Sequence, residues 1–398
     1  MRGWILAACV SLLPACAGET SRLATTTVRD SAGIRIVENP ALDSASMTWW
    51  AVEDSPALQI GAADATEAEI LHQVRGAARL SGGRIAVATR TDVRYFSADG
   101  SHLLTAGRQG SGPGEFGDLT SLLRAGGDTL WAFDYRRRRV SVLGPQGKHV
   151  REFEIGGAIR PGEAIGRYPD GGLLGVNYCV PERPPEGVIH RVRVCYGVSI
   201  PGTARYDTIG IFPYHDELIT MRGDARAIGP PAYGRTTAVA HHDEDFYVGT
   251  QEAPEIRVYS RDGRLTRMIR TGVPMLPVTP ERIEEHFLPR FLQRLSAESR
   301  EGAAEPLRER FLRGPFAEFV PPYGDIHTDT GGSLWVSDYD AADEPALWTV
   351  YDPEGQALAR ARLPEGIQIY EIGPDYVLGG WRGELRIEYV RVYRLDRS

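Results

Sequence analysis

The chain has 398 residues, 42% of them apolar and 25% charged, which is ordinary for a globular protein and excludes wholesale disorder and a polytopic membrane protein. Its net charge of −8 offers nucleic acid no overall attraction, so no nucleic-acid partner is expected. Among 45 basic residues Lys148 is the only lysine, a bias of base composition, while 45 glycines and 27 prolines punctuate short apolar runs and favour an all-β chain.

The chain opens with Arg2, an apolar run from Trp4 to Leu13 and then Leu13-Pro14-Ala15-Cys16. The run is too short to span a bilayer, so residues 1–15 are expected to be a signal peptide. Leu-x-Ala-Cys resembles a bacterial lipobox. That resemblance implies that Cys16 is lipidated, that residues 16–32 are a lipidated N-terminus and linker, and that the protein is exported and anchored to the envelope. The outer membrane, facing the periplasm, is the default because Ala17 replaces a retaining aspartate. Ordinary cleavage after Ala15-Cys16-Ala17 also fits and stays open.

From residue 33 onward the chain repeats itself. Gly83–Ala88, Val93–Phe96 and Asp99-Gly100 form a phrase that returns at Asp128–Asp134, Val140–Leu143 and Gln146-Gly147, again at Asp245–Val248, Ile256–Tyr259 and Asp262-Gly263, and again at Ser333–Asp338, Trp348–Asp352 and Glu354-Gly355. Each copy reads as four short strands, with x-Gly marking the turn between the third and fourth. A divergent copy spans 165–209 and holds Cys179 and Cys195, which are expected to form a disulfide across a hairpin about Gly187 in an oxidising compartment. The last copy, 370–395, lacks a fourth strand, and Ala57-Leu58-Gln59-Ile60 is expected to supply it. Six copies closed by an N-terminal strand predict a six-bladed β-propeller over 33–398.

Gly107-Arg108-Gln109-Gly110-Ser111-Gly112-Pro113-Gly114-Glu115-Phe116 resembles the link between NHL-type repeats, and Asp30–Asn39 resembles the opening of exported six-bladed propellers of uncharacterised function. The resemblance carries a fold, whose members include enzymes, receptors and scaffolds. The glycine-rich link is not a phosphate loop, because no Gly-Lys-Ser/Thr opens a helix there. Residues 273–323 form an insertion between blades four and five: Thr279-Pro280-Glu281 reads as a helix start, Pro289 as a kink, and 303–312 as a second helix.

Three groups of residues are candidate sites. Arg79, Arg124 and Arg167 align at one innermost-strand position, where the other copies have Ala240, Thr328 and Tyr370. There they would converge on a carboxylate or phosphate, unless acids such as Glu163 or Asp325 pair with them. Arg90 and Arg136, Arg137, Arg138 and Arg139 lie in loops between strands two and three. They are expected to share a lidded face with the ring, opposite Glu252, and to bind an anionic small molecule or an envelope protein. Asp338, Asp340, Asp343 and Glu344 offer oxygen ligands for Ca²⁺, the only cofactor suggested, whereas His241 and His242, adjacent on a strand, point to opposite faces.

Two functions follow. One is a non-catalytic binding propeller of the cell envelope that recognises an anion at the channel or lidded face. The other is a metal-dependent hydrolase similar to the gluconolactonase and regucalcin group, for which Asn177 and Asn39 are the only asparagines and the metal ligands do not map residue by residue.

Overall fold

The computed structural model describes residues 25–41, 47–62, 66–155, 163–180, 184–203, 205–222, 225–293, 295–296, 299–300, 302–339, 346–383 and 387–398. Residues 1–15, Cys16, Asp340, Asp343 and Glu344 lie outside the described residues. The described chain is nearly all β, in antiparallel sheets built mainly from consecutive strands.

The first sheet joins Gly76–Arg79, Ile85–Ala88, Val93–Phe96 and His102–Ala106, and the second joins Leu119–Arg124, Leu130–Asp134, Arg139–Leu143 and His149–Glu154. The third has five strands, Glu163–Arg167, Leu173–Asn177, Ile189–Ser199, Tyr206–Arg222 and Ala225–Gly229. The fourth starts with Ala238–His242, Asp245–Gly249, Glu255–Tyr259 and Leu265–Arg270. Ile326–Thr328, Leu334–Ser337, Ala346–Tyr351 and Ala357–Leu363 form one end of a nine-stranded sheet, whose other end is Gln368–Ile372, Tyr376–Arg382 and Glu388–Asp396. First strands of successive units adjoin one another, so the sheets stand radially and bury their apolar side chains between them. Phe116, fully buried, shows how: it packs with Ala78 and Ala86 of the first sheet and Leu119 and Leu130 of the second. Gly107, at φ 81°, allows this, because a Cβ there would lie 2.3 Å from the Phe116 ring.

The N-terminal segments act as outer strands. Leu58–Ile60 pairs antiparallel with Glu388–Asp396, Ile60 facing Val390, in the slot where a fourth strand was expected. Two further pairings carry no sequence signal. Ile34–Glu38 lies parallel to Leu265–Arg270 and brings Thr27–Ser31 with it as a hairpin, so the fourth sheet has six strands. Part of the expected linker, residues 27–31, is therefore strand. Thr48–Val52 lies parallel to Ala357–Leu363 and touches the end of Glu388–Asp396, which fuses the two ends of the nine-stranded sheet.

Cys179 and Cys195 form the disulfide, with Cα atoms 5.7 Å apart. Asn177, not Cys179, faces Cys195 across the strands, so the bridge runs diagonally from the residue just past the strand end. In the 273–323 region the Thr279 hydroxyl accepts from Arg282 N at 3.2 Å and caps Pro280–Arg282. A π-helical turn, Ile283–Phe287, follows and leads into Leu288–Gln293, so the expected irregularity falls before Pro289. Ala304–Arg313 is the second helix. These segments pack with Ala232, Tyr233 and Tyr339 over the turn that follows Leu334–Ser337.

Candidate functional site

The arginine ring forms at the end of the first strands. Arg79 faces Ile85, Arg124 faces Leu130 and Arg167 faces Leu173, the same register in three adjoining sheets. By that register the fourth-sheet equivalent is His241, opposite Phe246, not Ala240, and the next is Thr328, opposite Leu334. In the last unit the equivalent is Gly373, whose N–H meets the carbonyl of Tyr376, rather than Tyr370.

Acids from the far end of the chain enter this ring. Arg124 Nη1 lies 3.5 Å from both Glu371 carboxylate oxygens and donates to the Arg79 carbonyl at 2.7 Å. Arg79 pairs with Asp375 at 3.3 Å and lies over the Tyr376 ring at 4.4 Å. Glu371 also accepts the Tyr376 hydroxyl and the Arg79 N–H. Arg167 packs over Trp131 at 4.9 Å, and its buried Nε has no hydrogen-bond partner. Two of the three expected anion ligands are thus already matched by carboxylates, and the acids concerned are Glu371 and Asp375, not Glu163 or Asp325.

His241 completes this rim as a neutral group. Its ring packs edge-on against Tyr168 at 4.5 Å, and its buried Nε2 finds no partner. Burial, assisted by neighbouring His242, pulls its pKa down to about 4. A histidine whose folded pKa lies below its unfolded value stabilises the fold above the unfolded pKa and withdraws that support as pH falls toward the folded one. Acidification from pH 7 to 4.5 is therefore expected to cost about 2 kcal/mol through this residue alone. Denaturant titration at both pH values should show that loss reduced in His241→Gln.

The run from Arg136 to Arg139 sits at the opposite edge of the sheet. It turns the chain from Leu130–Asp134 into Arg139–Leu143, whereas Arg124 lies at the turn before Leu130. The intervening five-residue strand separates the two edges by roughly 16 Å, so the expectation that run and ring share a face is corrected. The run also divides. Arg139 is buried, pairs with Glu152 at 3.0 Å, and donates to the carbonyls of Gly112 and Glu115, clamping the glycine-rich link. Arg138 adopts φ 53° and donates to the Ile155 carbonyl. Neither Arg138 nor Arg139 belongs to an open anion site.

Arg136 and Arg137 remain exposed, and the segment they cross, Gly117-Asp118-Leu119, is also met by Arg75 and Arg90, which flank strands of the first sheet. A Cβ on Gly117 would lie 3.0 Å from Arg137 Nε and 3.4 Å from Arg136 Cδ, so the glycine lets both side chains cross this segment. Arg75 reaches Asp118 at 3.7 Å, and the Leu119 N–H donates to the Arg90 carbonyl at 2.8 Å. Asp134, beneath them, is fully buried and accepts the N–H groups of Gly117, Asp118 and Arg137 at 2.6 to 3.1 Å. Asp118, partly exposed, thus pairs with Arg75, while Arg136 and Arg137 cross Gly117 beside it and Arg90 meets the same segment through its backbone carbonyl. Among the described residues neither Arg90 nor Arg136 has an acidic partner. Arg75 is the member that the sequence did not single out, because its loop carries no repeated phrase.

The other candidates take structural roles. Asp338 accepts Arg360 at 2.9 and 3.2 Å, and burial raises its pKa against the pull of that arginine. Asn177 lies on a second strand opposite Cys195. Among the described residues no three His, Cys, Asp or Glu side chains converge as a metal site, and no helix there is long and apolar enough to cross a membrane.

No protein-family model matches the chain, and no curated protein matches it. Among solved structures it is similar to a member of the DUF4221 family from Bacteroides vulgatus, at 9% identity over 89% of this chain and 100% of that one, with a TM-score of 0.46. It is also similar to a putative exported protein from Bacteroides fragilis, at 11% identity over 90% and 99%, with a TM-score of 0.45. A gluconolactonase from Xanthomonas campestris gives 12% identity over 88% and 98%, with a TM-score of 0.40. These likenesses leave the function to be argued from the site itself.

Proposed function

We propose that the chain is a six-bladed β-propeller lipoprotein of the cell envelope, anchored through Cys16, and that it is a non-catalytic binding protein for an anionic ligand. The nine-stranded sheet supports the blade count, since it divides at Thr48–Val52 into two units like the other four. The ligand is held by Arg75, Arg90, Arg136 and Arg137 at the edge where second strands turn into third strands.

One observation carries the placement: Arg75, Arg90, Arg136 and Arg137 all meet the short segment Gly117–Leu119, and of these four only Arg75 has an ion-pair partner among the described residues, Asp118. Guanidinium groups grouped this way favour a carboxylate or phosphate. Calorimetric titration with citrate at low salt tests the reading. Arg90→Ala combined with Arg136→Ala should weaken binding at least tenfold, since each charge-assisted hydrogen bond contributes about 1.5 kcal/mol or more, while Arg124→Ala leaves it unchanged. Equal binding by the double variant, or loss of binding in Arg124→Ala, would return the site to the ring.

A further inference from the structure

Two cavities lie on this edge, and they share a wall. One, of about 390 Å³, is lined by His72, Gln73, Arg90 and Thr91 among others, and the second, of about 440 Å³, by His72, Gln73, Arg382 and Glu388. His72 and Gln73 thus stand at the junction of a groove that runs from the first sheet to the last. Their backbone is pinned on both sides. Buried Leu71 bridges to Glu388, and the Val74 N–H donates to the Glu388 carboxylate at 2.7 Å. Between them Gln73 is held at φ 53°, a conformation that is unfavourable for a non-glycine residue and persists only where its surroundings impose it.

The acids of the groove are already committed. Asp92 accepts the Thr89 hydroxyl at 2.9 Å and Arg94 at 3.0 Å, and Glu388 accepts Val74 N–H and Arg382. What the groove offers a ligand is therefore a row of hydrogen-bonding side chains, Gln73, Thr91 and His72, running from the Arg90 guanidinium toward Arg382, which Glu388 already holds. A chain of hydroxyl-bearing units with carboxylates at intervals matches that pattern. Among the described residues the lining holds no Phe, Tyr or Trp ring on which nucleobases would stack, which a single-stranded nucleic acid site uses.

We propose that this groove binds an extended acidic polysaccharide, with hydroxyls bonded by His72, Gln73 and Thr91 and a carboxylate met at the Arg90 end. The proposal rests on the anion-binding reading above and extends it along the edge. Oligogalacturonates of one to six units, with citrate as the compact anion, supply the test in calorimetric titrations at fixed salt. Affinity should rise at least tenfold from the monomer to the tetramer. His72→Ala with Gln73→Ala, both at exposed positions, should weaken the tetramer at least fivefold and leave citrate unaffected. Citrate binding that depends on Arg136, together with a hexamer no tighter than the monomer, would overturn the groove and keep the anion site. A tetramer indifferent to the His72 and Gln73 changes would overturn it as well, as would equal affinity for a single-stranded polynucleotide of matched charge. Failure of citrate and all oligomers alike would remove the anion-binding reading itself.

Discussion

Replacing Asp216 by alanine is expected to lower the unfolding free energy by about 3 to 5 kcal/mol, the largest effect of any single substitution considered for this molecule. Asp216 is buried in Tyr206–Arg222, where Arg191 faces it across the sheet at 3.4 Å and Arg235 binds it through Nε at 2.9 Å and through its own N–H at 3.0 Å. Burial pulls the Arg191 pKa down and Asp216 opposes that pull, so the carboxylate is what keeps a desolvated guanidinium charged in place. Arg191 also donates to Thr237 and to the Thr250 carbonyl, and Thr237 N donates to the Tyr214 carbonyl. The cluster therefore joins the long hairpin of the third sheet to the entry of the fourth. Urea unfolding of Asp216→Ala and Asp216→Asn measures the effect, with the asparagine expected between alanine and the parent because it keeps an acceptor. A loss below about 1 kcal/mol for alanine would mean that the arginines find solvent when released.

Asp329→Ala is expected to cost about 3 kcal/mol, for a different reason. Its carboxylate is fully buried in the turn between Ile326–Thr328 and Leu334–Ser337, and it accepts the N–H groups of Gly331 and Ser333 at 2.9 Å and of the Trp335 indole at 3.2 Å. Arg397, next to the C-terminus, reaches the same carboxylate at 3.0 Å, lies over Trp50 at 4.6 Å and donates to the Gly373 carbonyl at 2.6 Å. Through Arg397, one acid thus ties a turn to the strand Thr48–Val52 and to the residues after Glu388–Asp396. Alanine strands three donors in a buried site, whereas Arg397→Ala leaves the carboxylate its three N–H donors and, with the contacts to Trp50 and Gly373 also lost, should cost about 2 kcal/mol. Thermal melts of the two variants give the comparison. Equal losses would mean that the arginine, not the turn, carries the closure.

Local features were the legible part of the fold. Alternating apolar residues, the x-Gly turns and the recurring phrase mark the strands, and they register within each unit because every pairing there joins segments close in sequence. The two cysteines and the strand Leu58–Ile60 were placed by the same repeat. The N-terminal segments Ile34–Glu38 and Thr48–Val52 were not, because they pair in parallel with strands more than 200 residues away and belong to no repeat. The site fared similarly. Alignment put Arg79, Arg124 and Arg167 in one register, but it could not see that Glu371 and Asp375, distant in sequence, enter the same rim. In the run from Arg136 to Arg139, four identical side chains have three different fates: Arg139 begins a strand and turns inward, Arg138 bends the turn, and only the first two stay exposed. Composition alone cannot separate them.

A bromide soak of crystals of the protein, read by anomalous scattering, tests the central claim most directly, since it locates where this acidic molecule accepts an anion without presuming the natural ligand. The account predicts bromide within hydrogen-bonding reach of Arg90 and Arg136, above Gly117–Leu119. Bromide confined to the opposite edge, beside Arg79, Arg124 and Arg167, would contradict it.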